Sequence, residues 1–257
     1  MSDIIRDTAA FISSQKDQFS ESDIEKKGFN DLVSYVDKTA EQKLVDSLES
    51  LDIDAGFILE EQTRNITSDS DLTWIIDPLD GTTNYLHGVP CYCISVALAD
   101  QSIPVAGWIF EISRGEMFTG WSGGGAFLNE ARIRVSSAGS MSESLIATGF
   151  PYHDFSFMDS YMEIFDHCMK NTRGLRRLGS AAADLAYLAC GRFDAFYEYG
   201  LNAWDVAAGV IIVQEAGGSV TDFRGTSDHV FGKEILATNG RIHDEILKVT
   251  QRAFYQS

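Results

Sequence analysis

Two carboxylates, Asp77 and Asp80, close the stretch Trp74-Ile75-Ile76-Asp77-Pro78-Leu79-Asp80, which runs directly into Gly81-Thr82-Thr83. An apolar run ends here in Asp-Pro. Proline fixes its own φ and denies a sheet ladder a donor, so the strand is expected to stop and the chain to turn. Both carboxylates then project from a stiff turn, and the Leu79 carbonyl between them can be aimed the same way. Hard divalent cations such as Mg²⁺ take oxygen ligands at about 2.0–2.1 Å in near-octahedral arrangement, which two carboxylates and a carbonyl suit. The backbone N–H groups of Gly81-Thr82-Thr83, at an expected helix start, can meet phosphate oxygens without a basic side chain. The same residues also describe a tight turn with an Asp cap, which needs no ligand.

Other residues bear on that choice. Glu60-Glu61 ends the strand-like GFIL, placing a carboxylate where sheets gather their sites. Asp205 stands at the start of a helix, where compensation of the helix dipole, worth roughly 0.3–1 kcal/mol, is the plain alternative. Asp37 lies in a polar helix and, taken singly, reads as a solvated side chain. Gly179-Ser180-Ala181 precedes a helix whose N–H groups could meet ligand hydroxyls or phosphate, or whose small residues merely permit close packing. Glu198, ending FDAFYE, could accept hydrogen bonds from polyol hydroxyls, whereas Arg176 and Arg177 read as solvated surface or subunit contact. His153 sits in a loop and receives no role, and no histidine pair shows HExxH spacing. The serines of 136–144 contain no G-x-S-x-G elbow and read as linker. Gly123-Gly124-Gly125 lacks the Lys-Ser/Thr of a phosphate loop and reads as a hairpin turn.

The elements that must position these groups follow from periodicity. Two helices open the chain, an amphipathic one near the N-terminus and a second over 34–51. Short β runs from Cys91 to Ser136, separated by turn residues, predict an antiparallel meander. After residue 138 helix and strand alternate, with helices near 156–171, 180–191, 204–216 and 242–254. A division into 1–138 and 139–257 is expected, the first half carrying the Asp-Pro-Leu-Asp-Gly-Thr motif and the second completing the site.

The 257 residues carry 20 basic and 38 acidic side chains, a formal net charge of −18. That excess disfavours nucleic-acid and anionic-membrane surfaces. It also means that cations must offset any phosphorylated substrate. Four cysteines without disulfide or zinc spacing read as reduced, buried thiols. The N-terminus lacks a signal peptide's basic and apolar regions, so a cytoplasmic setting is expected.

WIIDPLDGTTNY, WDVAAGVIIVQEAGG, the upstream ILEEQ and the intervening RRLGSAAADLAYLACGRFDAFYE together resemble the inositol monophosphatase family of magnesium-dependent, lithium-sensitive phosphatases. The resemblance runs from Asn30-Asp31-Leu32-Val33 to the final helix. It implies an α+β fold, a layered αβαβα sandwich shared with fructose-1,6-bisphosphatase. It further implies two or three Mg²⁺ ions held by Glu60, Asp77, the Leu79 carbonyl, Asp80 and Asp205. Catalytic roles carry over to Thr82, Asp37 and Glu60, with Thr82 and Asp37 orienting and activating the attacking water. Substrate contacts carry over to Asp80, Gly81, Thr82, Gly179, Ser180, Ala181, Glu198 and Asp205. The chain departs from the pattern at Leu59, where Gly is common, and at Tyr85, where Phe is common.

The activity implied is hydrolysis of an inositol monophosphate by a homodimer. 3′(2′),5′-bisphosphate nucleotidase, histidinol-phosphatase and fructose-1,6-bisphosphatase activities are the nearest alternatives. A non-enzymatic alternative is a regulatory partner of transcription or ribosome assembly.

Overall fold

The computed structural model describes residues 1–16, 24–26, 32–151 and 154–256, with the backbone alone for 24–26 and 32–34. Asn30, Asp31 and His153 therefore lie outside the described residues. The first helix, α1 (Ser2–Gln15), buries Ile5, Ala9 and Ile12 at helical spacing. A short antiparallel pair, β1 (Ile24–Lys26) and β2 (Leu32–Ser34), leads into α2 (Tyr35–Glu49). Helices α1 and α2 pack together on one face of a seven-stranded sheet, in a core that includes Leu44, Trp74, Ile76 and Ile94.

That sheet holds β3 (Gly56–Leu59), β4 (Leu72–Asp80), β5 (Cys93–Asp100), β6 (Ile103–Glu111), β7 (Glu116–Trp121), β8 (Gly125–Leu128) and β9 (Ala131–Ile133), in chain order. A one-turn helix, α3 (Thr82–Leu86), joins β4 to β5. Only β3 and β4 are parallel; the remainder is the predicted meander. Along β5 the alternation of side chains divides two cores, with Cys93, Ala97 and Ala99 facing one way and Ile94 and Val96 the other. Cys91 and Cys93 share a face as expected, and burial pushes both thiols well above their ordinary range.

The second half builds a five-stranded mixed sheet from β10 (Leu145–Thr148), β11 (Gly174–Arg176), β12 (Ala195–Tyr199), β13 (Ser219–Thr221) and β14 (Glu234–Thr238), ordered β11-β10-β12-β14-β13. Helices α5 (Ala181–Ala189) and α6 (Ala203–Glu215) lie between the two sheets, nearly all apolar and buried. On the outer face of the second sheet α4 (Met158–Asn171) and α7 (His243–Tyr255) complete an αβαβα sandwich. At Gly107 an added Cβ would stand 2.6 Å from the Ala208 carbonyl oxygen, so glycine lets α6 press onto β6. The triple glycine turn is held by Glu215 of α6, whose carboxylate accepts from the N–H groups of Gly123 (2.8 Å) and Gly125 (2.7 Å).

One expectation is corrected. Strand β4 does not stop at Asp77-Pro78 but runs through to Asp80. Asp77 pairs with Ser95 and Asp80 with Cys93, so an extra residue on β4 forms a bulge. The bulge absorbs the donor that Pro78 lacks and re-aims the carboxylates beside it. Among the described helices none is long and apolar enough to cross a membrane.

Candidate active site

Asp77, 1% exposed, turns one carboxylate oxygen back onto the Leu79 N–H at 2.9 Å, which fixes the peptide that follows. Thr82, the first residue of α3, places Oγ1 3.0 Å from the Leu79 carbonyl oxygen and 2.9 Å from Asp37 Oδ1. Asp37 is 1% exposed and faces the β4–α3 turn, which corrects the solvated side chain expected from its neighbours and gives the pairing with Thr82 that the family resemblance implied. It shares the buried stripe of α2 with Leu44 and Leu48. Asn84 ties this turn to the second half, donating to the carbonyls of Cys91 and Leu178, both at 2.8 Å. Tyr85 finds a partner for its hydroxyl in the Ile12 carbonyl of α1, 3.0 Å away.

The second half supplies the opposite wall. Ser180 caps α5 and donates through Oγ to Asp80 Oδ2 at 2.7 Å, while the Ala182 N–H donates to the same oxygen at 2.7 Å. The start of α5 therefore holds a protein carboxylate, and Ser180 and Ala182 spend their donors on orienting Asp80. Asp205, in the first turn of α6, accepts from the Asn202 N–H at 2.6 Å, and Ser95 of β5 donates to the Trp204 carbonyl at 3.2 Å. Asp77, Asp80 and Asp205 each offer an oxygen within 4.8 Å of the others'. Glu60, just past β3, stands against Asp77 in hydrogen-bond contact.

These groups line a cavity of about 660 Å³ together with Gly81, Gly179, Ala181 and Glu198. Glu198, on β12 and 6% exposed, rests over Gly149, where any Cβ would lie 2.0 Å from its carboxylate oxygens. Arg177 is exposed, as expected, and also lines the cavity, with its guanidinium 5.6 Å from the Phe150 ring. Arg176 points away, donating to the Leu175 carbonyl. Asp184 on α5, 1% exposed, lines the same cavity with an oxygen that has no hydrogen-bond partner. It was not foreseen, although a lone carboxylate inside the apolar run AAADLAYLA is a signal of one held for a purpose.

Crowded, buried acids resist ionisation. Burial, then the charges of Glu60, Asp80 and Asp205, holds Asp77 well above the usual carboxylate range. Burial raises Asp205 to about 7, helped by the charge of Asp80. Asp80 rises to about 6, again through burial, against the opposing pull of Ser180, the Ala182 N–H and Arg177. Burial, followed by Asp205, raises Glu198 as well. Carboxylates gathered this closely are stable in their charged form only with added positive charge, and an all-oxygen donor set fits Mg²⁺ rather than a soft metal. Glu60, Asp77, Asp80, Asp205 and the Leu79 carbonyl are the groups that could hold it.

Comparison with known proteins identifies the family. A model of the inositol monophosphatase family matches residues 2–254. An inositol-1-monophosphatase of Mesorhizobium japonicum is 40% identical over 226 residues, covering 88% of this chain and 85% of that protein. A Neisseria meningitidis protein named putative Nus factor SuhB is 42% identical over 223 residues, covering 87% of this chain and 85% of its own. The crystal structure of the extragenic suppressor protein suhB of Bartonella henselae superposes with a TM-score of 0.92 at 37% identity, over 98% of this chain and 97% of that one. An inositol monophosphatase structure from Anabaena gives 0.83 at 34% identity, over 97% and 93%. A match that begins at the second residue and ends in α7 leaves no layer of the sandwich outside it: the chain belongs to the inositol monophosphatase family.

Proposed function

We propose that this phosphatase is a Mg²⁺-dependent inositol monophosphatase, releasing phosphate and inositol from an inositol monophosphate. The observation that carries the reading is the convergence of Asp77, Asp80 and Asp205 beside the Thr82–Asp37 pair. Glu60, Asp77, the Leu79 carbonyl, Asp80 and Asp205 hold two or three Mg²⁺ ions. Bound there, Mg²⁺ offsets the charge of the phosphate and lowers the pKa of water. Asp37 fixes the Thr82 hydroxyl, leaving its lone pairs to orient the attacking water and accept from it. The N–H groups of Gly81 and Thr82 meet phosphate oxygens. Glu198, with the Gly179–Ala181 segment, accepts and positions the polyol hydroxyls of the leaving group. The working unit is a cytoplasmic homodimer.

Phosphate release from inositol 1-phosphate, adenosine 3′,5′-bisphosphate, histidinol phosphate and fructose 1,6-bisphosphate, with and without Mg²⁺, tests this. The expected result is Mg²⁺-dependent turnover fastest on inositol 1-phosphate and abolished in Asp80→Asn. Near-normal activity of that variant, or turnover in EDTA, refutes the site. Preference for another substrate moves the assignment within the family.

The relative named as a putative Nus factor supports a second role, as a regulatory partner of transcription. Co-purification of RNA polymerase with both the wild type and Asp80→Asn would establish it independently of catalysis.

A further inference from the structure

Helix α2 carries a second buried carboxylate one turn beyond Asp37. Glu41 is 0% exposed, and its two oxygens meet three donors from the turn that follows β3. Oε2 accepts from the Glu61 N–H at 2.7 Å, while Oε1 accepts from the Thr63 N–H at 2.9 Å and from Thr63 Oγ1 at 2.7 Å. Between the two tethered N–H groups lies Gln62, whose φ of 51° falls in the left-handed region that L residues rarely adopt. A carboxylate is acceptor-only and matches an all-donor turn. The residue immediately before this clamp is Glu60, whose own N–H is held by Ile76 of β4 at 3.2 Å. Because β3 and β4 are parallel, the turns leaving them open on the same edge of the sheet. On a helix, positions 37 and 41 share one face. Asp37 holds Thr82 beyond β4, and Glu41 holds the Glu60 turn beyond β3.

We propose that Glu41 is a positioning residue for Mg²⁺ retention: by clamping the Glu61–Thr63 turn it holds the Glu60 carboxylate in the cluster with Asp77. The two acids of α2 then divide their labour, Asp37 serving the attacking water and Glu41 the ion. This rests on the Mg²⁺ site proposed above.

Titration calorimetry with Mg²⁺ on the full chain, paired with kcat measured across Mg²⁺ concentration, tests it. Glu41→Gln presents an amide N–H₂ to a backbone donor and opens the clamp. Loss of an outer partner of a metal ligand costs about 10-fold or more in metal affinity, and that weakening is expected in the calorimeter and in the Mg²⁺ needed for half-maximal rate. At saturating Mg²⁺ kcat returns to within about threefold of the wild type. Thr63→Val, which removes one of the three donors and spares the helix, shifts Mg²⁺ affinity the same way by about threefold and keeps the inference testable should Glu41→Gln not fold. Unchanged Mg²⁺ affinity in a folded variant overturns it, as does a kcat that stays depressed at saturating Mg²⁺. Wild-type protein that takes up no Mg²⁺ overturns the functional reading and this inference together; a wild type that binds beside an unaltered variant overturns the inference alone.

Discussion

Removing Mg²⁺ should reverse the usual benefit of neutral pH for this protein. In the metal-free fold Asp205 keeps its proton until about pH 7, whereas an unfolded aspartate releases it near 3.8. The folded state therefore binds more protons across that interval, and stability on this account is complete below about pH 4, falls steadily as pH rises, and is lost once pH passes about 7. A carboxyl raised from 3.8 to about 7 corresponds to roughly 4 kcal/mol, and its partial solvent access trims this to about 2–3 kcal/mol. For a chain of this length that is a fall in Tm of about 5–10 °C between pH 4 and pH 8. Asp80, raised to about 6, adds in the same direction. Mg²⁺ binds the ionised forms, so the stabilisation it gives should grow over the same window. Thermal melts in EDTA and in Mg²⁺, for the wild type and Asp205→Asn, check both halves. An EDTA melting curve that is flat or rising with pH, or an Asp205→Asn protein with the wild-type slope, refutes the reasoning.

Three further outcomes are expected. Thr82→Val should lower kcat by about 10²–10⁴-fold while leaving KM within a few-fold, since the hydroxyl acts on the water rather than on substrate binding; steady-state kinetics at saturating Mg²⁺ read the split. Glu198→Gln should raise KM for inositol 1-phosphate by about 2- to 10-fold, the scale of a hydrogen bond between uncharged groups, with 4-nitrophenyl phosphate unaffected because it offers no hydroxyl donors. Gly107→Ala should destabilise by about 1–3 kcal/mol through overpacking against α6, measured by urea unfolding.

The Asp77–Thr82 stretch was legible because its chemistry is contiguous: carboxylate, carbonyl, carboxylate and hydroxyl lie within six residues. The meander and the alternating second half were legible because period-2 and period-3.6 patterns are local. Asp37 was reached only through the family resemblance and Glu41 not at all, because an acid on a polar helix looks the same whether it faces water or a turn of donors from elsewhere in the chain. The place of the exposed Arg177 on the cavity rim was not legible for a related reason. Strand β11 is three residues long and ends at Arg176, so no periodicity signals that it brings the next residue to the cavity. The passage of β4 through Pro78 could not be read either, since a bulge depends on the partner strand as much as on the proline.

Helix α6 lies between both sheets, and its first turn delivers Asp205. A nascent polypeptide leaving the ribosome thus owns Glu60, Asp77 and Asp80 well before the acid that closes their ring has been synthesised. The proposed Mg²⁺ ligand set is therefore complete only once α6 has been made and packed between the two sheets.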